Sequence, residues 1–176
     1  MARGFLVLLL IIAAAGCWDD DGPTDGGSGG EPDVIIGEGD AEGVGFQAFE
    51  EGGTAHLVGG PQGGYHFWFA ARVRGLDPDG LVFVIQGFRD DLDGALANQF
   101  TTTILMVDSR EDGYWQTAEP VTMILCPSPQ GIGADDKDYR VSVTVRDSLG
   151  RSVEDEVEIH TVCPDDDRCA TTCAGD

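Results

Sequence analysis

Basic residues are scarce in this chain. It has 10 Lys and Arg against 32 Asp and Glu, which gives a formal net charge of -22. A surface this acidic repels the phosphate backbone of nucleic acids, so nucleic acid is not an expected partner. It also repels anionic lipid, so the protein surface itself is not expected to hold the chain to a membrane. Cations and basic or neutral polymers remain as plausible partners.

Catalytic motifs are also absent. The three histidines, His56, His66 and His160, are separated by predicted strands, and no serine lies in a Gly-x-Ser-x-Gly elbow. The glycine-rich stretches precede strands and not helices, so they are not phosphate-binding loops. We expect each histidine to be an ordinary strand residue, the protein not to be an enzyme, and no cofactor to be bound.

No apolar run is long enough to span a bilayer. The run from Phe5 to Ala15 is about half the required length. Arg3 precedes it, and Ala14-Ala15-Gly16 leads to Cys17, which is the layout of a secretory signal. This pattern resembles the lipobox of bacterial lipoproteins, although position 14 is Ala where that family most often has Leu. The resemblance implies a signal peptide over residues 1–16, an acyl (palmitate) anchor on Cys17, and a location in the bacterial envelope, at the outer membrane or cell surface.

The segment after the anchor has almost no apolar residues. Between Trp18 and Val34 the chain consists mainly of Asp, Gly, Pro and Ser. Such a composition cannot form a core and predicts a flexible, acidic tether over residues 17–33.

From Val34 onward, apolar residues recur with a period near 2, and clusters of Gly, Pro and Asp separate the runs. This pattern predicts eight strands, namely Gly45 to Phe49, Thr54 to Val58, Tyr65 to Val73, Leu81 to Gln86, Thr101 to Val107, Val121 to Cys126, Tyr139 to Arg146 and Val153 to Val162. Eight short strands with regular turns favour an all-β, antiparallel β-sandwich over residues 34–163, followed by an acidic, cysteine-containing tail over 164–176.

Two segments resemble known families. The run from Tyr139 to Gly150 alternates Val with polar residues and ends in Asp-x-x-Gly, and it resembles the final hairpin of immunoglobulin-like and PKD-like domains. That resemblance implies an Ig-like sandwich, with Tyr139 near the tyrosine-corner position, and it brings no catalytic residues. The segment from Gly60 to Pro78 is similar to one in uncharacterised myxobacterial-type lipoproteins, for which it implies no activity.

Lipidation of Cys17 leaves Cys126, Cys163, Cys169 and Cys173. An even number of cysteines in an exported chain predicts two disulfides. Three pairings are possible, and the preferred one joins Cys126 to Cys163 and Cys169 to Cys173. The rival interpretation is a copper or thiol-exchange site made of the C-terminal cysteines with His160.

Two further kinds of site depend on surface residues. Acidic loops could gather oxygen ligands around calcium. The candidate calcium ligands are Asp77, Asp79, Asp91, Asp93, Asp136 and Asp138. Exposed aromatic residues could stack on sugars. The candidates for such a platform are Trp68 and Trp115, with Tyr114.

The sequence therefore favours a lipid-anchored envelope protein whose Ig-like domain is a non-catalytic binding or structural module for adhesion or display. Its partner would be an envelope protein or a polysaccharide. The alternatives are a calcium-dependent or glycan-binding module and a copper or thiol-redox carrier.

Overall fold

A computed structural model describes residues 30–40, 45–109, 113–165 and 167–174. The signal segment, Cys17 and most of the tether lie outside these residues. In the described ranges, no helix is long and apolar enough to cross a membrane.

The described chain is built from twelve strands and one short helix. In chain order they are β1 (Asp33–Gly39), β2 (Phe46–Ala48), β3 (Gly53–His56), β4 (Val58–Gly59), β5 (Tyr65–Arg74), β6 (Val82–Arg89), β7 (Ala95–Thr103), β8 (Met106–Asp108), β9 (Trp115–Thr117), β10 (Val121–Cys126), β11 (Lys137–Arg146), β12 (Ser152–Val162) and α1 (Asp167–Cys173). A single 3-10 turn, Asp90–Leu92, connects β6 to β7.

The strands form two sheets. Sheet I has the order β2-β1-β5-β9-β8, with β4 and β10 also paired to β5. Sheet II has the order β3-β12-β11-β6-β7. The central orders β1-β5-β9-β8 and β12-β11-β6-β7 are the A-B-E-D and G-F-C-C′ orders of an immunoglobulin-type sandwich. The pairing is antiparallel except between β12 and β3, which run parallel.

The core lies between the sheets and follows from strict alternation along the strands. On β11, Tyr139, Val141, Val143 and Val145 are fully buried, while the residues between them are not. Sheet I supplies Phe67, Phe69 and other inward residues of β5 to the same core. Because successive side chains point to opposite faces of a strand, this alternation is what makes one sheet face apolar.

The predicted all-β sandwich is confirmed, and β10 has the predicted bounds. The prediction of one strand over Thr101 to Val107 is wrong. The chain bends at Ile104 and Leu105, so that β7 ends in sheet II and β8 begins in sheet I. Periodicity along the sequence does not reveal this change of sheet, because both strands are rich in apolar and β-branched residues. The pattern also missed β1, the three-residue β9 and α1.

Candidate functional site

An open groove lies between the two sheets of the sandwich. It has a volume of about 610 Å³ and lies between the end of β7 and the start of β10. We call it the edge groove; its walls include Phe100, Thr102, Leu105, Pro120, Val121 and Thr122. Leu105, at the bend between β7 and β8, is 75% exposed, which is unusual for a leucine of a folded domain.

Both strands that flank the groove have a free edge. In the described part of the chain, β7 pairs with β6 on one side, and β10 pairs with β5 on one side. The Asn98 side chain donates a hydrogen bond to the Ile124 carbonyl, which joins the two edges at one end of the groove. Beyond that link, neither strand pairs with a further strand among the described residues.

The β7–β8 side of the groove is uncharged, whereas the other side carries Glu119. No Asp, Glu, Lys or Arg occurs in residues 95–107, although 24% of the whole chain is charged. Natural edge strands usually carry charges or prolines that prevent pairing with other chains. The sequence reasoning missed this site, and the absence of charge over residues 95–107 was the signal that could have revealed it.

The predicted calcium ligands fall into two groups at different places. Asp91, Asp136 and Asp138 lie together with Asp90 and Glu158 around a cavity of about 300 Å³. Asp93 does not line this cavity; it follows the 3-10 turn in the left-handed conformation, with φ of 56°.

Arginine side chains donate hydrogen bonds to two of the carboxylates in this cavity. Both oxygens of Asp91 accept hydrogen bonds from the buried guanidinium of Arg89, at 2.8 and 2.7 Å. Asp90 accepts two from Arg140, each at 3.0 Å. These arginines lower the pKa of both carboxyls. Asp90 and Asp91 are therefore each paired with an arginine of the protein.

His160 of β12 lies between the Asp136 and Asp138 carboxylates. Its Nδ1 is 2.7 Å from Asp138 Oδ1, and its Nε2 is 3.2 Å from Asp136 Oδ1. These contacts raise the pKa of His160, the bond to Asp138 most of all. The two carboxylates contact opposite nitrogens of the ring, so the three groups do not converge on one point. His160 is a strand residue, as predicted.

Asp77 and Asp79 lie in the turn before β6, with Asp147 of the β11–β12 turn. The Asp77 carboxylate accepts a hydrogen bond from the Asp79 backbone N–H, and the Asp77 N–H donates to the Asp147 carboxylate at 3.3 Å. These bonds stabilise turns, which is the ordinary role of Asp at such positions.

The aromatic candidates do not form one platform. Trp68 lies on the outer face of β5, where its ring and the His66 ring are nearly perpendicular, with 4.5 Å between the ring centres. Trp115 is paired with Val73, whose side chain points into the core, and it packs against that core. Tyr114 contacts Arg74, whose guanidinium lies 4.9 Å from the ring centre. Trp68 and Trp115 therefore belong to opposite faces of sheet I, and the prediction that they act together is wrong.

Beside Trp68, His66 is almost fully buried on the outer face of sheet I, and its Nε2 has no hydrogen-bond partner among the described residues. Burial lowers the pKa of His66. His66 is therefore a neutral strand residue at physiological pH, covered in part by the Trp68 ring.

The four cysteines of the domain form two disulfides, as the sequence predicts, but the preferred pairing is wrong. Cys126 is bonded to Cys173, and Cys163 to Cys169. The reason is α1, which the sequence analysis did not predict. One helical turn separates Cys169 from Cys173, and the helix packs across the end of β10, so that Cys173 meets Cys126 and Cys169 meets Cys163.

The end of the domain next to this cluster is held by a loop before β11. The Gly133 carbonyl accepts hydrogen bonds from Tyr139 Oη, at 2.9 Å, and from Arg89. The neighbouring Ala134 N–H donates to the Cys173 carbonyl at 2.8 Å. The buried hydroxyl of Tyr139 thus bonds to backbone six residues upstream, which is what a tyrosine corner does.

Comparisons with known proteins bring little further information. No family model matches the chain, and no curated protein matches it. Among solved structures, the chain is similar to the crystal structure of CopC from Methylosinus trichosporium OB3b, with 14% identity over 65% of this chain and 88% of that one. The TM-score of this match is 0.29, which is too low to support any inference about function.

Proposed function

We propose that the chain is a lipid-anchored protein of the bacterial envelope whose sandwich is a non-catalytic binding module, and that it binds an extended polypeptide segment in the edge groove. The lipobox-like sequence ending at Cys17 supports the anchor. The observation that carries the binding site is the pair of free, uncharged strand edges on either side of an open groove lined by both apolar and polar side chains.

An extended polypeptide fits this site better than a sugar does. A free strand edge presents alternating N–H and C=O groups, which a second strand satisfies along its whole length. Beyond the Asn98 link, β7 runs from Gln99 to Thr103, so it can align a segment of about 17 Å at the usual rise per residue. The side chains of the added strand would point alternately toward the groove, where Phe100, Val121 and the exposed Leu105 provide apolar contacts.

The charge of the protein favours some peptide partners over others. Residues 95–107 are uncharged, whereas the whole chain has a net charge of -22. The long-range field therefore repels an acidic segment and a second copy of this chain alike, and it attracts a segment with basic flanks. We expect the bound segment to be neutral and β-branched at its centre and basic at its ends.

The experiment is selection from a displayed library of random peptides of about eight residues, which is close to the length of one added strand. Wild-type protein is compared with Thr102→Lys, which places a charge on the groove wall. Thr101→Lys is the matched control. Thr101 pairs with Val84 and is exposed on the face of β7 that points away from the groove. We expect enrichment on wild type and on Thr101→Lys, and loss of enrichment on Thr102→Lys.

Two results would overturn the proposal. One is equal enrichment on both lysine variants, which would place binding elsewhere. The other is no enrichment on wild type. Sedimentation of wild type alone tests the competing occupant, since a dimer that Thr102→Lys abolishes would assign the groove to a second copy. Protection of β7 amides from hydrogen exchange by a selected peptide would be the direct sign of strand addition.

A further inference from the structure

The two disulfides lie in direct contact with each other. Cys169 Sγ is 3.7 Å from Cys173 Sγ, although the two residues belong to different disulfides. The sulfurs of Cys163, Cys169 and Cys173 all lie within 4.8 Å of one another. Structural disulfides need no such proximity, and here the helical spacing of Cys169 and Cys173 produces it.

The four cysteine residues differ in exposure. Cys169 and Cys173 are 0% exposed and Cys126 is 1% exposed, whereas Cys163, just after β12, is partly exposed. A thiol from solution can therefore approach the cluster from the side of Cys163. The sulfur that such an attack would release is Cys169, which is the one in contact with the second disulfide.

We propose that this cysteine cluster is a thiol–disulfide exchange site. A small thiol forms a mixed disulfide with Cys163, and exchange between the two protein disulfides leaves Cys126 as the free thiol. The external thiolate attacks Cys163 Sγ, forms a mixed disulfide there and releases the Cys169 thiolate. That thiolate attacks Cys173 Sγ, forms a Cys169–Cys173 bond and releases the Cys126 thiolate, which takes up a proton from water. Two disulfide bonds break and two form; the external thiol is oxidised to the mixed disulfide and Cys126 is reduced to a thiol, so no further oxidant or reductant is needed.

The surroundings favour a cationic thiol. The chain has a net charge of -22, and Asp135, whose carboxylate accepts a hydrogen bond from the Cys163 N–H at 3.0 Å, lies next to the attacked residue. An anionic thiol such as glutathione is repelled, whereas an aminothiol is attracted. Cysteamine is therefore the probe used, with glutathione as the comparison.

The experiment uses the whole chain with Cys17→Ser, which leaves the four cluster cysteines as the only cysteines. The Cys163→Ser variant removes the disulfide partner of Cys169. Cys169 is then a free thiol next to the Cys126–Cys173 disulfide. After acid quenching and unfolding, N-ethylmaleimide labels every free thiol, whether or not it was buried. We expect label on Cys126 at a level comparable with that on Cys169. The Cys163→Ser/Cys169→Ser double variant is the control, and it should show no label on Cys126.

A second measurement uses Cys17→Ser protein in which all four cluster cysteines are intact. Its result therefore does not depend on whether a variant that lacks a cluster cysteine folds. Native protein is incubated with cysteamine, quenched and mapped by mass spectrometry. We expect a cysteamine adduct on Cys163 together with a Cys169–Cys173 linkage, and a smaller yield with glutathione. An adduct that leaves Cys126–Cys173 intact, or no adduct at all, would overturn the proposal, as would label confined to Cys169 in the variant. None of these outcomes bears on the edge groove.

Discussion

The carboxylate of Asp147 accepts four hydrogen bonds from neighbouring residues. Its buried carboxylate accepts bonds from the backbone N–H groups of Leu149 and Arg151, at 3.0 and 2.9 Å, and from Arg151 Nε at 2.7 Å. It also accepts one from the Asp77 N–H, which ties the turn before β6 to the β11–β12 turn. Burial alone would raise the pKa of Asp147, but these hydrogen bonds outweigh burial and lower it.

Replacement of Asp147 should therefore destabilise the domain strongly. We expect Asp147→Ala to reduce the free energy of unfolding by about 2 kcal/mol, because it leaves three partly buried N–H groups and one guanidinium without their acceptor. Urea unfolding at neutral pH measures this cost. Because the folded-state pKa is depressed, the stability from Asp147 is present above the ordinary Asp pKa and is lost as pH falls through the folded value. The difference between wild type and variant should therefore shrink in acid; a constant difference would contradict the assignment.

His160 should have the opposite pH dependence. Its pKa is raised above 6.5 by Asp138 and Asp136, so its protonated form stabilises the folded state. That stability is present below the ordinary His pKa and is lost as pH rises through the raised folded value. We expect His160→Gln to lower the free energy of unfolding at about pH 6 and to have little effect at about pH 8.

The partner of His160 can be tested in the same assay. In a double-mutant cycle with Asp138→Asn, the coupling energy should be measurable at the lower pH and absent at the higher one. Coupling that is equal at both pH values would mean that the ring acts as a neutral hydrogen-bonding group.

At the scale of elements, the two disulfides connect α1 to different parts of the fold. Cys126–Cys173 closes a loop of 47 residues and attaches the helix to β10, whereas Cys163–Cys169 closes a loop of six residues. The chain-entropy model gives about 4 kcal/mol for the long loop and about 2 kcal/mol for the short one.

This difference gives a prediction about paired variants. Cys126→Ser/Cys173→Ser should lower the free energy of unfolding by about 2 kcal/mol more than Cys163→Ser/Cys169→Ser does. Chemical denaturation of both, with cysteine-free protein as reference, measures the difference. A larger loss from the short loop would show that the local bond holds α1 in place.

The sequence was sufficient to predict the strands that alternate strictly and pair on both sides. The β11–β12 hairpin, with its buried Val141, Val143 and Val145, is the strongest case. The same reasoning could not place α1, whose seven residues are too few for a 3.6-residue period to emerge, and the cysteine pairing depended on that helix. It also could not place Trp68 and Trp115 on opposite faces of a sheet, because β9 has three residues and its register is visible only in three dimensions.

At the scale of the whole molecule, like charges dominate the surface. The chain has 32 acidic against 10 basic residues, and β12 alone presents Glu154, Asp155, Glu156 and Glu158 to solvent. Ion pairs such as Arg140 with Asp90 and Glu156 offset only part of this repulsion. Exposed pairs of this kind contribute little to stability. Burial of the core therefore has to overcome a repulsion that grows with every unpaired carboxylate.

Added salt should consequently stabilise the fold. Screening weakens repulsion among exposed charges more than it weakens the few attractive pairs, because repulsive pairs are far more numerous. Between low ionic strength and about 0.5 M NaCl, we expect a gain of about 1 kcal/mol, or a rise of about 3 °C in the melting temperature. Glu154→Gln/Glu158→Gln, which removes two exposed charges from β12, should show a smaller rise than wild type. A melting temperature that falls with salt would mean that attraction, mainly through Arg89, Arg140 and Arg151, outweighs the net charge.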